Sequence, residues 1–359
     1  MSAPRQCFKS LEGSCIKNRT MKKPIFFTAF LGLALAASAE QFKVIAPLPA
    51  DAEGSVARLV NFDTGDTIDS VIVKDKCARF EGIVDEGILA RIMANGSRTP
   101  VFILEPGTIS FNEKEGAAFG TMLNDQFRQL NKDINAVMQS AREAGTDEAA
   151  RQAYDKYEAM LDSTINSNTD NVLGYYLFLS GKSQQMDASS LREAFKKYPA
   201  FAHFKRSQSM LGQAERREAT QPGNKYVDFS VPQPDGKVVK LSDYAGNGKY
   251  TLVDYWASWC GPCIRQTRVL KEIQEKYKDD PRLQILGVAV WDKVEDTERA
   301  IEQHKLTWPC IVDAQTIPTD IYGIMGIPSI MLIGPDGTIL SRDKQGDELK
   351  ADVDAALAK

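Results

Sequence analysis

Apolar positions between residues 42 and 115 come in short runs, at 42–46, 57–61, 70–73, 88–92 and 101–104. Turn-forming clusters separate them: Asp63-Thr64-Gly65-Asp66, Ala94-Asn95-Gly96 and Glu105-Pro106-Gly107. Short runs broken by such clusters predict a small antiparallel β domain over residues 40–120. The period then changes. Leu123, Phe127, Leu130, Ile134 and Val137 recur at three- and four-residue steps, which predicts a helical region over 121–218 with breaks near Gly145 and 168–171. Within it, the aromatic cluster Tyr175, Tyr176 and Phe178 reads as helix core. Residues 219–224 (Ala-Thr-Gln-Pro-Gly-Asn) have no apolar period and contain Pro-Gly, so they are the expected linker.

From 225 to 359 strand and helix patterns alternate. Expected strands lie at 238–241, 252–256, 283–290 and 310–312, and a hairpin 330–333/338–340 turns across Gly334-Pro335-Asp336-Gly337. Expected helices lie at 260–277 and 295–304, and a last one carries Leu349, Val353 and Leu357 on one face. This is the pattern of an α/β domain with a sheet covered on both faces.

The N-terminal 39 residues carry a different signal. Lys22 and Lys23 precede an apolar run from Ile25 to Ala37, and Ala37-Ser38-Ala39 has the small-residue pattern of a signal-peptidase site. The expected product starts at Glu40, is exported to a periplasm-like compartment, and keeps no stable membrane insertion. Residues 1–39 hold six Lys/Arg and one Glu, so their removal takes the net charge from -4 to -9, which argues against a nucleic-acid partner.

Six cysteines are present, and Cys7 and Cys15 fall in the segment expected to be removed. The remaining four are one close pair, Cys260 and Cys263, plus Cys77 and Cys310 far apart. A disulfide-stapled scaffold would use more in a shorter chain, and with only His203 and His304 a metal site lacks ligands at suitable spacing. No metal and no cofactor is expected. Cys77 and Cys310 read as free buried thiols.

The close pair follows a buried strand and opens a helix. A thiol at a helix N-terminus has unpaired backbone N–H groups and the positive dipole end beside it, which lower its pKa and favour the nucleophilic thiolate. Cys260 holds that position, and Pro262 fits the first turn, where its missing N–H costs nothing. The two-residue spacer returns Cys263 toward Cys260, so it can resolve a mixed disulfide. Ile327-Pro328 leads into the strand at 330, either as a plain breaker or as a cis turn.

Trp256-Ala257-Ser258-Trp259-Cys260-Gly261-Pro262-Cys263, with Asp254 upstream and Gly326-Ile327-Pro328 downstream, resembles thioredoxin. Leu241-Ser242-Asp243-Tyr244, Trp308-Pro309 and the Gly334-Pro335-Asp336-Gly337 turn resemble the TlpA/ResA branch of exported thioredoxin-like proteins. Phe102-Ile103-Leu104-Glu105 and Gly120-Thr121-Met122-Leu123-Asn124 resemble an uncharacterised β domain that precedes such thioredoxins in Bacteroidetes-type bacteria. The resemblance implies a thioredoxin fold at the C-terminal end and a dithiol mechanism. In it Cys260 attacks, Cys263 resolves, and Asp254 is the buried carboxylate that moves a proton to and from Cys263. Ile327-Pro328 becomes the cis-proline loop, and Trp259, Gly261 and Pro262 join it in contacting substrate. Gln266 stands where TlpA/ResA-like proteins carry Glu, and Arg268 stands where both groups carry a helix proline.

The implied partners are disulfide-containing client proteins and a membrane or envelope electron donor. Competing readings are a non-catalytic binding or assembly module on the same fold, an oxidase or isomerase using the same pair, and a peroxiredoxin. The stretch before Cys260 lacks the Pro and Thr that a peroxidatic cysteine requires. Gly261-Pro262 between the cysteines, and Ile327 rather than a hydroxyl residue before Pro328, point to a reductant.

Overall fold

The computed structural model describes residues 40–112 and 116–358, so the signal-peptide reading of residues 1–39 lies outside the described residues. The chain begins with β1 (Glu40–Pro47), β2 (Val56–Asn61), β3 (Thr67–Ile72), β4 (Cys77–Val84), β5 (Ile88–Ala94), β6 (Ser97–Arg98), β7 (Phe102–Leu104), β8 (Gly107–Phe111) and β9 (Ala118–Phe119). They form two sheets, ordered β4-β1-β8-β9 and β3-β2-β5-β6, with β7 also on β5. Alternation along the strands sends Phe42, Val44 and Ala46 of β1, Ala57 and Leu59 of β2, and Phe80 of β4 into one shared core. Pairing is antiparallel except between β1 and β8, which run parallel. The region is thus the expected antiparallel β domain with one parallel pairing. Strand β4 escapes a reading by apolar runs because Arg79 and Glu81 interrupt it and Ile83 points outward.

Five helices follow among the described residues: α1 (Met122–Ala144), α2 (Asp147–Asn166), α3 (Val172–Leu177), α4 (Ala188–Lys197) and α5 (Lys205–Ala219). Glu105 starts the first of them. Its Oε1 accepts from the backbone N–H groups of Leu123 and Asn124 at 2.9 and 3.1 Å, and the Asn124 side chain bonds back to both backbone groups of Ile103. The Phe102–Glu105 and Gly120–Asn124 motifs are thus the two halves of one strand-to-helix joint. Gly145 ends α1 in the left-handed conformation, φ 64°, and the Thr146 hydroxyl caps α2. Tyr175 and Phe178 are buried as expected of helix core. The same core includes Leu89, Val101 and Ile103 from the sheet, so the helices pack on the β domain rather than forming an independent body.

The expected linker, 219–224, is exposed except at Thr220 and is tied to the C-terminal part at a few points. Helix α5 runs through Ala219, Thr220 is buried, and the buried Arg342 side chain donates to the Thr220 carbonyl at 3.1 Å. Gly223 N–H donates to the Ile339 carbonyl and Ile339 N–H to the Asn224 carbonyl, both at 2.8 Å. Backbone pairing holds this stretch, and that leaves no apolar period in the sequence.

The C-terminal part comprises β10 (Ser230–Pro232), β11 (Val238–Lys240), β12 (Tyr250–Trp256), α6 (Gly261–Lys276), β13 (Leu283–Ala289), α7 (Val294–Gln303), β14 (Cys310–Ile311), α8 (Ile317–Tyr322), β15 (Ser329–Ile333), β16 (Ile339–Arg342) and α9 (Gly346–Leu357). Its main sheet is ordered β14-β13-β12-β15-β16; β14, β13 and β12 are parallel, and β15 and β16 are antiparallel to their neighbours. Leu252 of β12 packs with Leu270, Ile273, Leu349 and Val353 of α6 and α9. Val253 and Tyr255 face the opposite layer, with Leu286, Val288 and Tyr322. A central strand buried on both faces, feeding a helix at its C-terminal end, is the thioredoxin fold.

Candidate active site

Strand β12 ends at Trp256, and the chain turns through Ala257-Ser258-Trp259, closed by Cys260 N–H donating to the Ala257 carbonyl at 3.1 Å. Cys260 is the N-cap of α6, and Pro262 lies in its first turn. Cys260 and Cys263 form a disulfide with their Cα atoms 5.2 Å apart. The backbone N–H of Cys263 points at the Cys260 sulfur, 3.2 Å away, so a donor and the positive helix end both face that atom. Both cysteines are buried, whereas Gly261 and Pro262 are exposed. With Arg268 in place of the proline that would kink it, α6 is one unbroken helix.

A clamp absent from the motif reading fixes the turn before Cys260. Asp292, buried just beyond the end of β13, accepts from Ser258 N–H at 2.6 Å and from the hydroxyls of Ser258 and Thr297 at 2.9 Å. Trp259 Nε1 donates to the Trp291 carbonyl at 3.0 Å, and the rest of the indole stands out, 62% exposed. The one sequence signal for this clamp is that Trp291-Asp292 closes the strand parallel to β12. Register Trp256↔Ala289 brings that end beside the Cys260 turn.

The second face of the site is the loop between α8 and β15. Gly323 leaves the helix at φ 60°, and the Ile327-Pro328 peptide is cis. The Ile327 carbonyl oxygen lies 3.7 Å from Cys260 Sγ. Met325, two residues earlier, is 63% exposed. Exposed apolar side chains on both segments therefore flank a disulfide that is itself recessed.

Asp254, two residues before the end of β12, is 3% exposed, with no protein partner for Oδ1. Burial pushes its carboxyl from 3.8 up to about 7. Register places Asp254 beside Gly287 and Gly287 beside Cys310, so all three share one sheet face. Trp256 Nε1, Trp308 Nε1 and Gln266 Nε2 are also buried without a protein partner. A Cβ on Gly287 would meet Cys310 Sγ at 2.8 Å, Trp256 Nε1 at 3.1 Å and Trp308 Nε1 at 3.5 Å. Burial, with the Asp254 carboxylate nearby, pushes the Cys310 thiol up to about 12, so it stays protonated. Cys77 is a free, buried thiol in β4. Among the described residues no cluster of His, Cys, Asp and Glu is arranged to hold a metal ion, and no helix is long and apolar enough to cross a membrane.

The chain is similar in sequence to known proteins. Residues 222–342 match the AhpC/TSA family. The thiol-disulfide oxidoreductase ResA of Bacillus cereus is 25% identical over 148 residues, 41% of this chain and 83% of the relative. The thioredoxin-like protein YneN of Bacillus subtilis is 28% identical over 127 residues, 35% of this chain and 73% of the relative. Among solved structures, a putative thiol:disulfide interchange protein DsbE from Chlorobium tepidum is 31% identical, covering 38% of this chain and 98% of that one, with a TM-score of 0.33. The thioredoxin domain of a thiol-disulfide oxidoreductase from Bacteroides vulgatus is 29% identical, covering 37% and 96%, with a TM-score of 0.33.

Proposed function

We propose that this protein is an exported thiol–disulfide oxidoreductase that reduces disulfides in client proteins through Cys260 and Cys263. One observation carries the reading: the two cysteines close a disulfide at the start of a helix, with a backbone N–H aimed at the first sulfur and an unpartnered buried carboxylate in the strand that leads into them. The sequence similarity to the thiol-disulfide oxidoreductase ResA supports it.

In the reduced enzyme the Cys260 thiolate attacks one sulfur of a client disulfide. A Cys260–client disulfide forms, and the other client sulfur leaves as a thiolate. Asp254, whose carboxyl titrates near the working pH, takes the Cys263 proton. The Cys263 thiolate then attacks Cys260 Sγ, releasing the second client sulfur and regenerating the Cys260–Cys263 disulfide. Two electrons pass to the client, so a dithiol donor in the envelope must restore the reduced pair. Trp259, Gly261 and Pro262 on one side, and Ile327 and Pro328 on the other, provide the client-contacting surface, to which the exposed Met325 belongs.

Reduction of insulin disulfides by the full chain in the presence of dithiothreitol tests the reading. The wild-type protein should accelerate it, and Cys263→Ser, reduced and then freed of dithiothreitol before insulin is added, should instead accumulate a covalent client adduct on Cys260. A wild-type protein no faster than dithiothreitol alone would favour the non-catalytic module.

A further inference from the structure

We propose that helix α5 of the accessory region positions the loop carrying Pro328, and that Arg217 is therefore a positioning residue for client exchange, acting through Asp343 and Ser329. The inference rests on the oxidoreductase reading and gives the accessory region a part in it.

Helix α5 is held at both ends by different parts of the chain. At its N-terminus the Asp63 carboxylate, from the turn between β2 and β3, accepts from Lys205 N–H at 2.8 Å and from Arg206 N–H at 3.0 Å. These are backbone donors that a helix start leaves unpaired, so Asp63 acts as the cap that Phe204 cannot supply. Arg206 strengthens the joint, with Nε donating to the Phe62 carbonyl at 2.7 Å and its guanidinium 4.2 Å from the centre of the Phe62 ring. The β domain and α5 are thereby fixed to each other.

The C-terminal half of α5 touches both stems of the Pro328 loop. On the leading stem, a Cβ on Gly323 would lie 2.3 Å from the Gln213 carbonyl oxygen and 2.9 Å from Arg217 N, so the loop leaves α8 pressed against the α5 backbone. Beside it, the Arg342 guanidinium donates to the Tyr322 carbonyl at 2.7 Å as well as to Thr220. On the trailing stem, Arg217 Nη2 donates to Asp343 Oδ2 at 2.6 Å, and the other Asp343 oxygen accepts from the Ser329 hydroxyl at 2.7 Å. Asp343 N–H also donates to the Ile330 carbonyl at 2.8 Å. Asp343 sits at φ 59°, a conformation that Asp and Asn adopt more readily than most residues. A three-member chain thus runs from an accessory helix to the residue that follows Pro328, and the Ile327 carbonyl on that loop is 3.7 Å from the attacking sulfur.

The Arg217–Asp343 pair is partly exposed, with side-chain accessibilities of 48% and 31%, so its contribution to stability is small. What it fixes is geometry. Together with Arg342, whose Nε donates to the same oxygen at 3.4 Å, Arg217 occupies Asp343 Oδ2 and leaves Oδ1 for Ser329, which sets how the loop is presented to a client bound across the two faces of the site.

The test uses the reduced full-length protein with insulin and, separately, with oxidised glutathione, which is too small to span the loop. Arg217→Gln removes the ion pair, Asp343→Asn keeps the acceptor for Ser329 and the backbone conformation, and Ser329→Ala removes the far end. Each should raise KM for insulin about threefold, the size expected for loss of one partly exposed charged pair. The rate with oxidised glutathione and the melting temperature should stay near wild type. The Arg217→Gln/Asp343→Asn double variant should be no worse than either single variant, and Arg217→Lys should recover most of the loss. Folded variants with wild-type insulin kinetics would overturn the coupling while leaving the oxidoreductase reading intact. A wild-type protein that does not reduce insulin would overturn that reading and the coupling with it.

Discussion

Asp254 and Cys310 stand on one face of the main sheet two strands apart, with only Gly287 between them in register. The missing side chain at 287 is what lets the Cys310 sulfur and the Trp256 and Trp308 indole nitrogens converge there. None of the three belongs to the CxxC motif, yet together they make the surroundings in which a strand carboxylate has no hydrogen-bonding partner for Oδ1.

The cost of that burial should be visible as pH-dependent stability. The folded carboxyl titrates at about 7 against 3.8 for the ordinary value, so between these limits the native state holds a proton that the unfolded chain has released. Stability contributed by the neutral acid is full below about pH 4, is lost as pH rises toward 7, and levels off above. Asp254→Asn should remove this slope, opening a gap over wild type that approaches about 4 kcal/mol at pH 8. Urea unfolding of the oxidised proteins across pH 4–8 measures it. A constant gap would mean that Asp254 is not buried as a neutral acid.

The same substitution should slow the chemistry at one step only. In the proposed mechanism only the deprotonation of Cys263 draws on the carboxylate, so Asp254→Asn should leave mixed-disulfide formation unchanged and slow its resolution by about 10²-fold or more. Rapid-quench kinetics on a labelled peptide disulfide separate the two rates. Equal slowing of both would place Asp254 in a packing role.

In the reduced protein Cys260 should react before Cys263. Its sulfur faces the Cys263 N–H at 3.2 Å and the positive end of α6, which favours the thiolate. Iodoacetamide at about pH 6, followed by peptide mapping, should label Cys260 first. The burial of both residues in the disulfide state, 3% and 1% exposed, means that electrostatics must supply the difference.

Asp292→Ala should loosen the approach to the pair. It leaves the Ser258 N–H and the Thr297 hydroxyl without their acceptor, at a cost of about 2–4 kcal/mol. Thermal unfolding and Trp259 fluorescence report the two effects, lost stability and a freed indole.

The legible parts of this chain were those where chemistry forces a local pattern. A strand buried on both faces must read as an apolar run, as at Leu252 and Val253, and a helix-opening CxxC with Pro262 leaves little freedom in where Cys260 sits. Asp292 stays hidden because Ser258 is 34 residues away in sequence and residues such as Ser258 and Thr297 are common at surfaces. The tethers at Thr220 and Gly223 are not legible in the expected linker because backbone pairing and a partner such as Arg342, 122 residues away, leave no periodic trace. In β4, charged residues interleaved with Phe80 and Val84 are what a one-sided strand requires, and they masked it from a search for apolar runs.

The direction of electron flow is the remaining expectation, and the sequence between the cysteines argues it. Oxidising power in this fold comes from over-stabilising the reduced thiolate: thioredoxin, with a thiol near ~7, sits at about -270 mV, and a strong oxidant with a thiol near ~3.5 sits at about -120 mV. Here the Cys260 sulfur has one backbone donor, Cys263 N–H, and the helix end. Gly261 and Pro262 add no side-chain donor or cation, and Ile327 places a carbonyl oxygen rather than a hydroxyl near that sulfur. A carbonyl repels a thiolate, so the dithiol form gains less than in an oxidant and gives up its electrons more readily. Equilibration of the full-length protein against glutathione redox buffers should therefore return a potential near that of thioredoxin, well below about -200 mV. A value at or above that of protein disulfide isomerase, about -180 mV, would reverse the assignment and make the envelope partner an electron acceptor instead of a donor.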